Sequence, residues 1–230
     1  LNERHKGAVI EMGVDNLGQT TRLCEIVRPT IGIITNIGPD HLEFFGTMEV
    51  SAQAKAEILD LLPPDGVAIL NADDSYYDYL AARARCRVVS FGFSSKADVR
   101  AMDLESDGRN GTIFRLLLPG MVRRTAVHIR VQGDHNVTNA LVAGAVGSIL
   151  GLPGGVIAQG LSRFRPAAMR SQVRVSQGVK LIIDCYNANP ASMKAAVQLL
   201  SQTGAKRKKI AVLGDMLELG PNAAQMHEEV

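Results

Sequence analysis

Two side chains able to hold a divalent cation stand just after apolar, β-type runs. Glu11 follows Gly7-Ala8-Val9-Ile10, and His41, within Asn36-Ile37-Gly38-Pro39-Asp40-His41-Leu42-Glu43, follows Ile31-Gly32-Ile33-Ile34-Thr35. Together they offer one hard oxygen and one imidazole nitrogen, a partial shell for Mg²⁺ or Mn²⁺ that leaves positions for phosphate oxygens and water. The same residue types also serve as a helix cap and as a hydrogen-bonded loop histidine, and spacing alone does not choose between the readings. Lys55 lies in a helix-like stretch, 49–62, with Ile58, Leu59 and Leu62 at i+3, i+4 and i+7. A lysine on the margin of an apolar stripe either snorkels to water or is partly desolvated, and desolvation favours the neutral, nucleophilic amine.

The elements that must carry these residues are legible in outline. The two apolar runs read as neighbouring strands of a parallel α/β sheet, whose ligand crevice lies beyond the strand carboxyl ends. Strands at 67–70 and 87–90 continue this doubly wound pattern to about residue 92. From 98 to 131 the period changes to two, giving a small antiparallel sheet with strands at 99–104, 112–118 and 125–131 and a turn at Gly108-Arg109-Asn110-Gly111. Asp134 is the expected N-cap of a helix running from His135 to about 150 and closed by Gly151, with Asn136 and Asn139 on one face. A helix at 155–162 leads to a linker, Arg163-Phe164-Arg165-Pro166-Ala167-Ala168. Beyond it, a strand at 179–183, an Asn189 N-cap with Pro190 at the first helical position, and a strand at 210–213 open a second α/β domain.

Three more clusters occupy such junctions: Gly133-Asp134-His135-Asn136-Val137-Thr138-Asn139, Asp184-Cys185-Tyr186-Asn187-Ala188-Asn189-Pro190, and Leu213-Gly214-Asp215-Met216-Leu217-Glu218-Leu219-Gly220. Taken in order, the five clusters resemble the Mur ligase family of ATP-dependent amino-acid and peptide ligases. The match extends over nearly the whole chain. The Glu-Met-Gly, Tyr-Asn-Ala-Asn-Pro and Gly-Asp-Met-Leu-Glu-Leu-Gly runs look like those of the branch that joins D-alanyl-D-alanine to a UDP-N-acetylmuramoyl-tripeptide.

The resemblance implies a bacterial, cytoplasmic enzyme of peptidoglycan precursor synthesis that uses ATP and Mg²⁺ (or Mn²⁺). Its implied fold is a P-loop-type central domain with a doubly wound, mostly parallel sheet over residues 1–163, followed by the first part of a Rossmann-like C-terminal domain over 164–230. It assigns Glu11, His41 and Lys55 to metal binding and catalysis, Lys55 as a carbamate. Asn136 and Asn139 would bind adenine, whose edge complements an amide; Arg170 would bind phosphate and Asp184 ribose. Asn187 and Asn189 would face the incoming dipeptide, although Asn189 also reads as a helix cap, and Asn136 and Asn139 as capping or core-satisfied amides. For Asn71-Ala72-Asp73-Asp74 the resemblance favours a nucleotide-side loop over a turn with two solvated carboxylates. Asp215, Glu218 and His227 belong to a signature and carry no assigned role. Met169 stands where a glycine commonly precedes the arginine, Cys185 where serine or aspartate is common, and Pro39-Asp40 where alanine often appears.

The absence of Gly-x-x-x-x-Gly-Lys-Ser/Thr, which the family carries upstream of Glu-Met-Gly, reads as truncation at the start, and the end at Val230 as truncation of the last domain; a chain of this extent is expected to lack turnover by itself. Rival readings are another superfamily member, such as a folylpolyglutamate synthetase or a muramoyl ligase adding one amino acid, and a non-catalytic nucleotide-binding fragment. The Tyr-Asn-Ala-Asn-Pro run argues against the first two.

Composition narrows the field. Among 230 residues, 46% are hydrophobic, enough for a substantial core, and 25 basic residues face 23 acidic ones with only 4% aromatics, which argues against a nucleic-acid partner. Lys206-Arg207-Lys208-Lys209 reads as a solvated loop. Cys24, Cys86 and Cys185 form no framework and suit a reducing compartment. The uncharged stretch 136–162 is split by Gly151, Pro153, Gly154 and Gly155 into pieces too short to cross a bilayer, and no signal peptide opens the chain. A monomer is expected.

Overall fold

The computed structural model describes residues 2–39, 41–106, 111–121, 123–202 and 208–230. In chain order the elements are α1 (Gln19–Val27), β1 (Ile31–Ile34), α2 (Leu42–Phe45), α3 (Met48–Asp60), β2 (Val67–Asn71), α4 (Tyr77–Arg83), β3 (Arg87–Gly92), β4 (Val99–Ser106), β5 (Thr112–Leu117), β6 (Thr125–Ile129), α5 (Asp134–Ile149), α6 (Gly154–Ser162), β7 (Gln172–Ser176), β8 (Val179–Ile183), α7 (Pro190–Gln202), a 3₁₀ turn (Gly220–Asn222) and α8 (Ala223–Glu228).

Strands β1 to β6 form one sheet in sequence order. The β1–β2, β2–β3 and β3–β4 pairings are parallel, and β4–β5 and β5–β6 antiparallel. The antiparallel strands expected as a separate appendage therefore continue the parallel sheet, joined where Phe91 and Gly92 pair with Val99 and Arg100. The fold class is α/β, as expected.

The central strands are buried on both faces, which is why they read as unbroken apolar runs. Val67, Ile69, Val89 and Phe91 pack with Val137, Leu141 and Ala145 of α5 and Ile157 of α6. Ala68 and Leu70 face the other way, against Ile58 and Leu59 of α3, Cys24 of α1 and Leu80 of α4. Gly133 rather than Asp134 occupies the N-cap of α5, at φ 96°, and Asp134 begins the first turn. That backbone region suits glycine and moves the cap back by one residue.

After the linker, β7 and β8 pair as a hairpin turned at Gln177 and Gly178, with φ of 47° and 77°. Consecutive left-handed residues are what a two-residue hairpin turn requires. The sequence reading found β8 and missed β7, whose polar alternation in Gln172-Val173-Arg174-Val175-Ser176 is brief.

Two expected strands are not formed. Residues 7–10 and 210–213 have no ladder partner, and Val9 and Val212 are each 92% exposed. An apolar run becomes a strand only where a neighbour completes its hydrogen bonds, and β1, at the end of the sheet order, pairs with β2 alone. The turn expected at Gly108, Arg109 and Asn110 lies outside the described residues.

Candidate functional site

The loop after β1 is held by the loop after β2. Asp74 accepts the Ile37 N–H (2.7 Å) through one oxygen and the Tyr76 N–H (2.8 Å) through the other. Asn71 Nδ2 donates to the Thr35 carbonyl at 3.1 Å. Asp73 accepts from Phe93 N (2.6 Å) and Ser94 N (2.9 Å). Both carboxylates of Asn71-Ala72-Asp73-Asp74 are thus engaged by backbone amides. The cluster is a turn that clamps neighbouring loops, with Asp73 still exposed.

That clamp delivers the chain to His41, the left-handed N-cap of α2 at φ 57°. Its carbonyl accepts from Phe44 and Phe45, and its Nδ1 lies 2.5 Å from Glu218 Oε2. The Glu43 N–H donates to the Glu218 carbonyl at 3.1 Å. Gly220, at φ 68°, presses so close that a Cβ there would sit 3.3 Å from Glu43 Cα. The Gly-Asp-Met-Leu-Glu-Leu-Gly signature is therefore seated on α2, with Met216 and Leu219 buried. His227 secures it from behind, its Nε2 accepting the Met216 N–H at 2.9 Å while Nδ1 lies 2.7 Å from the Ala223 carbonyl.

Lys55 is half-buried on α3. Its neighbours Ile58, Leu59 and Leu62 are all buried, as the stripe predicted. Helix α3 lies against β1 at Gly32, where a Cβ would come within 3.0 Å of Leu62 Cδ1 and 3.2 Å of Ile58. Glu11 is exposed in the 7–14 segment and caps no helix. The N-terminal amides of α1 are met instead by Glu57, which accepts from Gly18 N (2.7 Å) and Thr21 N (3.0 Å). Nothing local in sequence marks a cap supplied from so far away.

A cleft of about 1520 Å³ collects most of the candidates: Glu11, His41, Lys55, Asn139, Asn187, Asn189 and Glu218 are all on its wall. Asn139 is exposed there, whereas Asn136 donates its amide to the Gln132 carbonyl (2.8 Å) and contacts His135 Nε2 (3.0 Å). The two amides expected to act together are divided between cleft and scaffold. Asn189 caps α7, its Oδ1 accepting from Ser192 N at 2.7 Å while Ser192 Oγ accepts from Asn189 N at 3.0 Å. The capping reading holds, and the residue borders the cleft as well.

Arg170 and Asp184 form a second group. Asp184 accepts the Ser171 N–H at 3.0 Å, and the Arg170 guanidinium lies 4.2 Å over the Tyr186 ring. Met169 and Ser171, on either side of Arg170, have φ of 63° and 44°. The left-handed conformation costs a non-glycine residue about 1–2 kcal/mol, so position 169 is one where glycine would be at ease. Asp184 fastens the turn that presents the arginine.

Among the described residues no group of three or more His, Cys, Asp or Glu side chains gathers as a metal cage. The protein donors toward a metal are a partial shell of one carboxylate and one imidazole, whose Nδ1 is occupied by Glu218, with the half-buried Lys55 on the same cleft wall. Such a set fits an oxygen-preferring cation that keeps phosphate and water ligands. Among the described residues no helix is long and apolar enough to cross a membrane.

A mostly parallel sheet with a metal-capable cleft beyond β1, joined to a second region whose signature loop seats on that cleft, defines the class. The chain belongs to the Mur ligase family: residues 1–147 match the model of the Mur ligase middle domain, and 169–230 that of the Mur ligase glutamate ligase domain. Among its relatives is the UDP-N-acetylmuramoyl-tripeptide–D-alanyl-D-alanine ligase of Bacillus subtilis, 36% identical over all of this chain and 49% of the relative. The crystal structure of MurF from Acinetobacter baumannii superposes with a TM-score of 0.93 at 34% identity, again over 100% of this chain and 49% of the other. MurF from Thermotoga maritima in complex with ADP gives 0.81 at 26% identity, over 95% and 49%. The chain spans about half the length of the curated relatives it matches.

Proposed function

We propose that this chain is the nucleotide- and metal-binding part of an ATP-dependent ligase that joins D-alanyl-D-alanine to a UDP-N-acetylmuramoyl-tripeptide. The observation that carries the reading is the placement of Glu11, His41 and Lys55 on one cleft wall with Asn139, Asn187 and Asn189. Residues 1–163 serve as the ATP-binding part and 164–230 as the start of the C-terminal domain. The enzyme is a cytoplasmic monomer.

The reaction has two balanced halves. The terminal carboxylate of the tripeptide takes the γ-phosphoryl group of ATP, releasing ADP. The amine of D-alanyl-D-alanine then attacks the acyl phosphate, and phosphate leaves as the amide forms. Mg²⁺ held by Glu11 and His41, with a carbamate on Lys55, would supply charge stabilisation on the transferring phosphoryl group. The carbamate arises from the neutral Lys55 amine and CO₂ with release of one proton, and turns a cation into an anionic oxygen donor. Asn139 offers an amide to adenine, and Arg170 pairs with phosphate as Asp184 holds its turn in place. Asn187 offers a donor and an acceptor to the dipeptide, and the Asn189 cap fixes the start of α7 beside it. Closure of the two parts would keep water from the acyl phosphate.

The test is steady-state ADP release by the full-length protein, which should require both the UDP-muramoyl-tripeptide and D-alanyl-D-alanine, since turnover continues only once the amine has consumed the acyl phosphate. Release driven by one amino acid in place of the dipeptide would overturn the assignment. Lys55→Ala should lower turnover by about 100-fold or more while moving the ATP Kd far less, because the lost charge acts on the transition state. Bicarbonate should not rescue the variant, since the amine is gone. Near-parental turnover would make Lys55 an ordinary snorkelling lysine.

A further inference from the structure

We propose that Glu218 is a positioning residue for His41: its carboxylate accepts the Nδ1–H, fixing the tautomer in which Nε2 carries the lone pair, and so makes the His41 metal contact depend on the C-terminal region being seated. The inference rests on the ligase reading only for what Nε2 binds.

Three observations converge. The Nδ1–Oε2 separation is 2.5 Å. The Glu218 main chain is separately fixed, by the Glu43 N–H at 3.1 Å and by Gly220 against Glu43. Finally, both members of the pair hold left-handed backbones, His41 at φ 57° and Glu218 at φ 61°. A half-exposed ion pair between two free side chains contributes little. Here the backbone on each side is already placed, so the carboxylate meets the ring without ordering a mobile loop. Non-glycine residues stay in this sparsely populated region when the surroundings over-determine them, which tends to occur at functional sites. A carboxylate on the far nitrogen of a metal-binding imidazole sets its tautomer, its orientation and its basicity. Glu218 is contributed by the region after the linker and His41 by the sheet-bearing region, so undocking the signature loop would release the ring.

The experiment uses full-length protein labelled with ¹⁵N-histidine, together with Glu218→Gln and Glu218→Ala, read by long-range ¹H–¹⁵N spectra and by Mn²⁺ titration with EPR detection. In the parent, His41 should show a protonated Nδ1 and an unprotonated Nε2. Glu218→Ala should move the ring to the Nε2–H form that free imidazole prefers, with a ten- to hundredfold weaker Mn²⁺ affinity. Glu218→Gln keeps an acceptor oxygen and should retain the Nδ1–H signal with a smaller loss. An Nε2–H parent overturns the proposal, and so does unchanged Mn²⁺ affinity in Glu218→Ala. A parent that binds no Mn²⁺ while showing the Nδ1–H tautomer would instead bring down the metal reading of the cleft, and the metal half of this inference with it.

Discussion

The sheet-bearing region, up to the linker, and the region after it are held together in different ways. In the first, one apolar layer runs along all six strands and a second covers the other face at β1–β3, and Phe91, Phe114, Leu59 and Ile69 are wholly enclosed. Among the described residues after the linker the buried apolar side chains are Pro190, Leu199, Met216 and Leu219, and the last two belong to the signature that sits on α2. Hairpin β7–β8 leaves Val175 74% and Val179 58% exposed. Order in the first region comes from burial. In the second it comes from hydrogen-bonded turns and from a seat on the first.

Mutations should separate the two modes. Phe114→Ala, deep between the sheet and its helices, should cost about 3–5 kcal/mol in urea unfolding, whereas Leu181→Ala on the half-exposed face of β8 should cost under about 1 kcal/mol; equal costs would break the comparison. Gly220→Ala carries a φ of 68° and a near-contact with Glu43, so it should cost about 1–2 kcal/mol, and the loss should be local. Hydrogen exchange at the Glu43 amide should accelerate while the amides of β2 and β3 keep their protection. Met169→Gly relieves a left-handed methionine at the price of unfolded-chain entropy and should stabilise by at most about 1 kcal/mol. It sharpens the contrast by showing that strain in the second region sits at the turn of Arg170.

The smallest effect concerns acid. The Arg83 guanidinium, hydrogen-bonded to both oxygens of Asp60, holds that carboxyl below the usual carboxylate range against a weaker opposing effect of burial. A depressed folded value means that the contribution is complete above the unfolded pKa of about 4 and fades as pH falls through the folded one. The stability difference between the parent and Asp60→Asn, under about 1 kcal/mol because the pair is partly exposed, should therefore be present at pH 6 and vanish at low pH. A difference that grows on acidification would reverse the sign.

Much of this was legible in the sequence. Strands β2 to β6, helices α3, α5 and α6, the Gly151 stop and the Asn189 cap all follow local periodicity or turn chemistry. Glu11, His41 and Lys55 line one cleft, but Glu11 does so from a segment that forms no strand and Lys55 from α3, so the rule about strand carboxyl ends accounts for His41 alone. What escaped depends on partners distant in the chain. Residues 7–10 and 210–213 have the composition of strands, but composition cannot report a missing ladder neighbour. The clamping role of Asp73 and Asp74 was not legible because three of the amides they accept, from Ile37, Phe93 and Ser94, belong to other loops. Glu218 and His227 had no assigned role because their meaning lies in where the signature docks. The domain division at 163/164 remains a proposal that the exposed linker residues support.

The sequential strand order has a kinetic consequence. Every strand of the large sheet pairs with its immediate successor, and the β4–β5–β6 meander closes over short loops while β1–β2 must wait for α2 and α3 to cross over. Loop-closure entropy favours the meander first. We expect pulse-labelling to find β4–β6 amides protected early and the β1 amides late, so that the strand carrying the loop to His41 is the last to join. The end of the molecule that bears the cleft is then also the end expected to open most readily, which suits a site proposed to admit ligands.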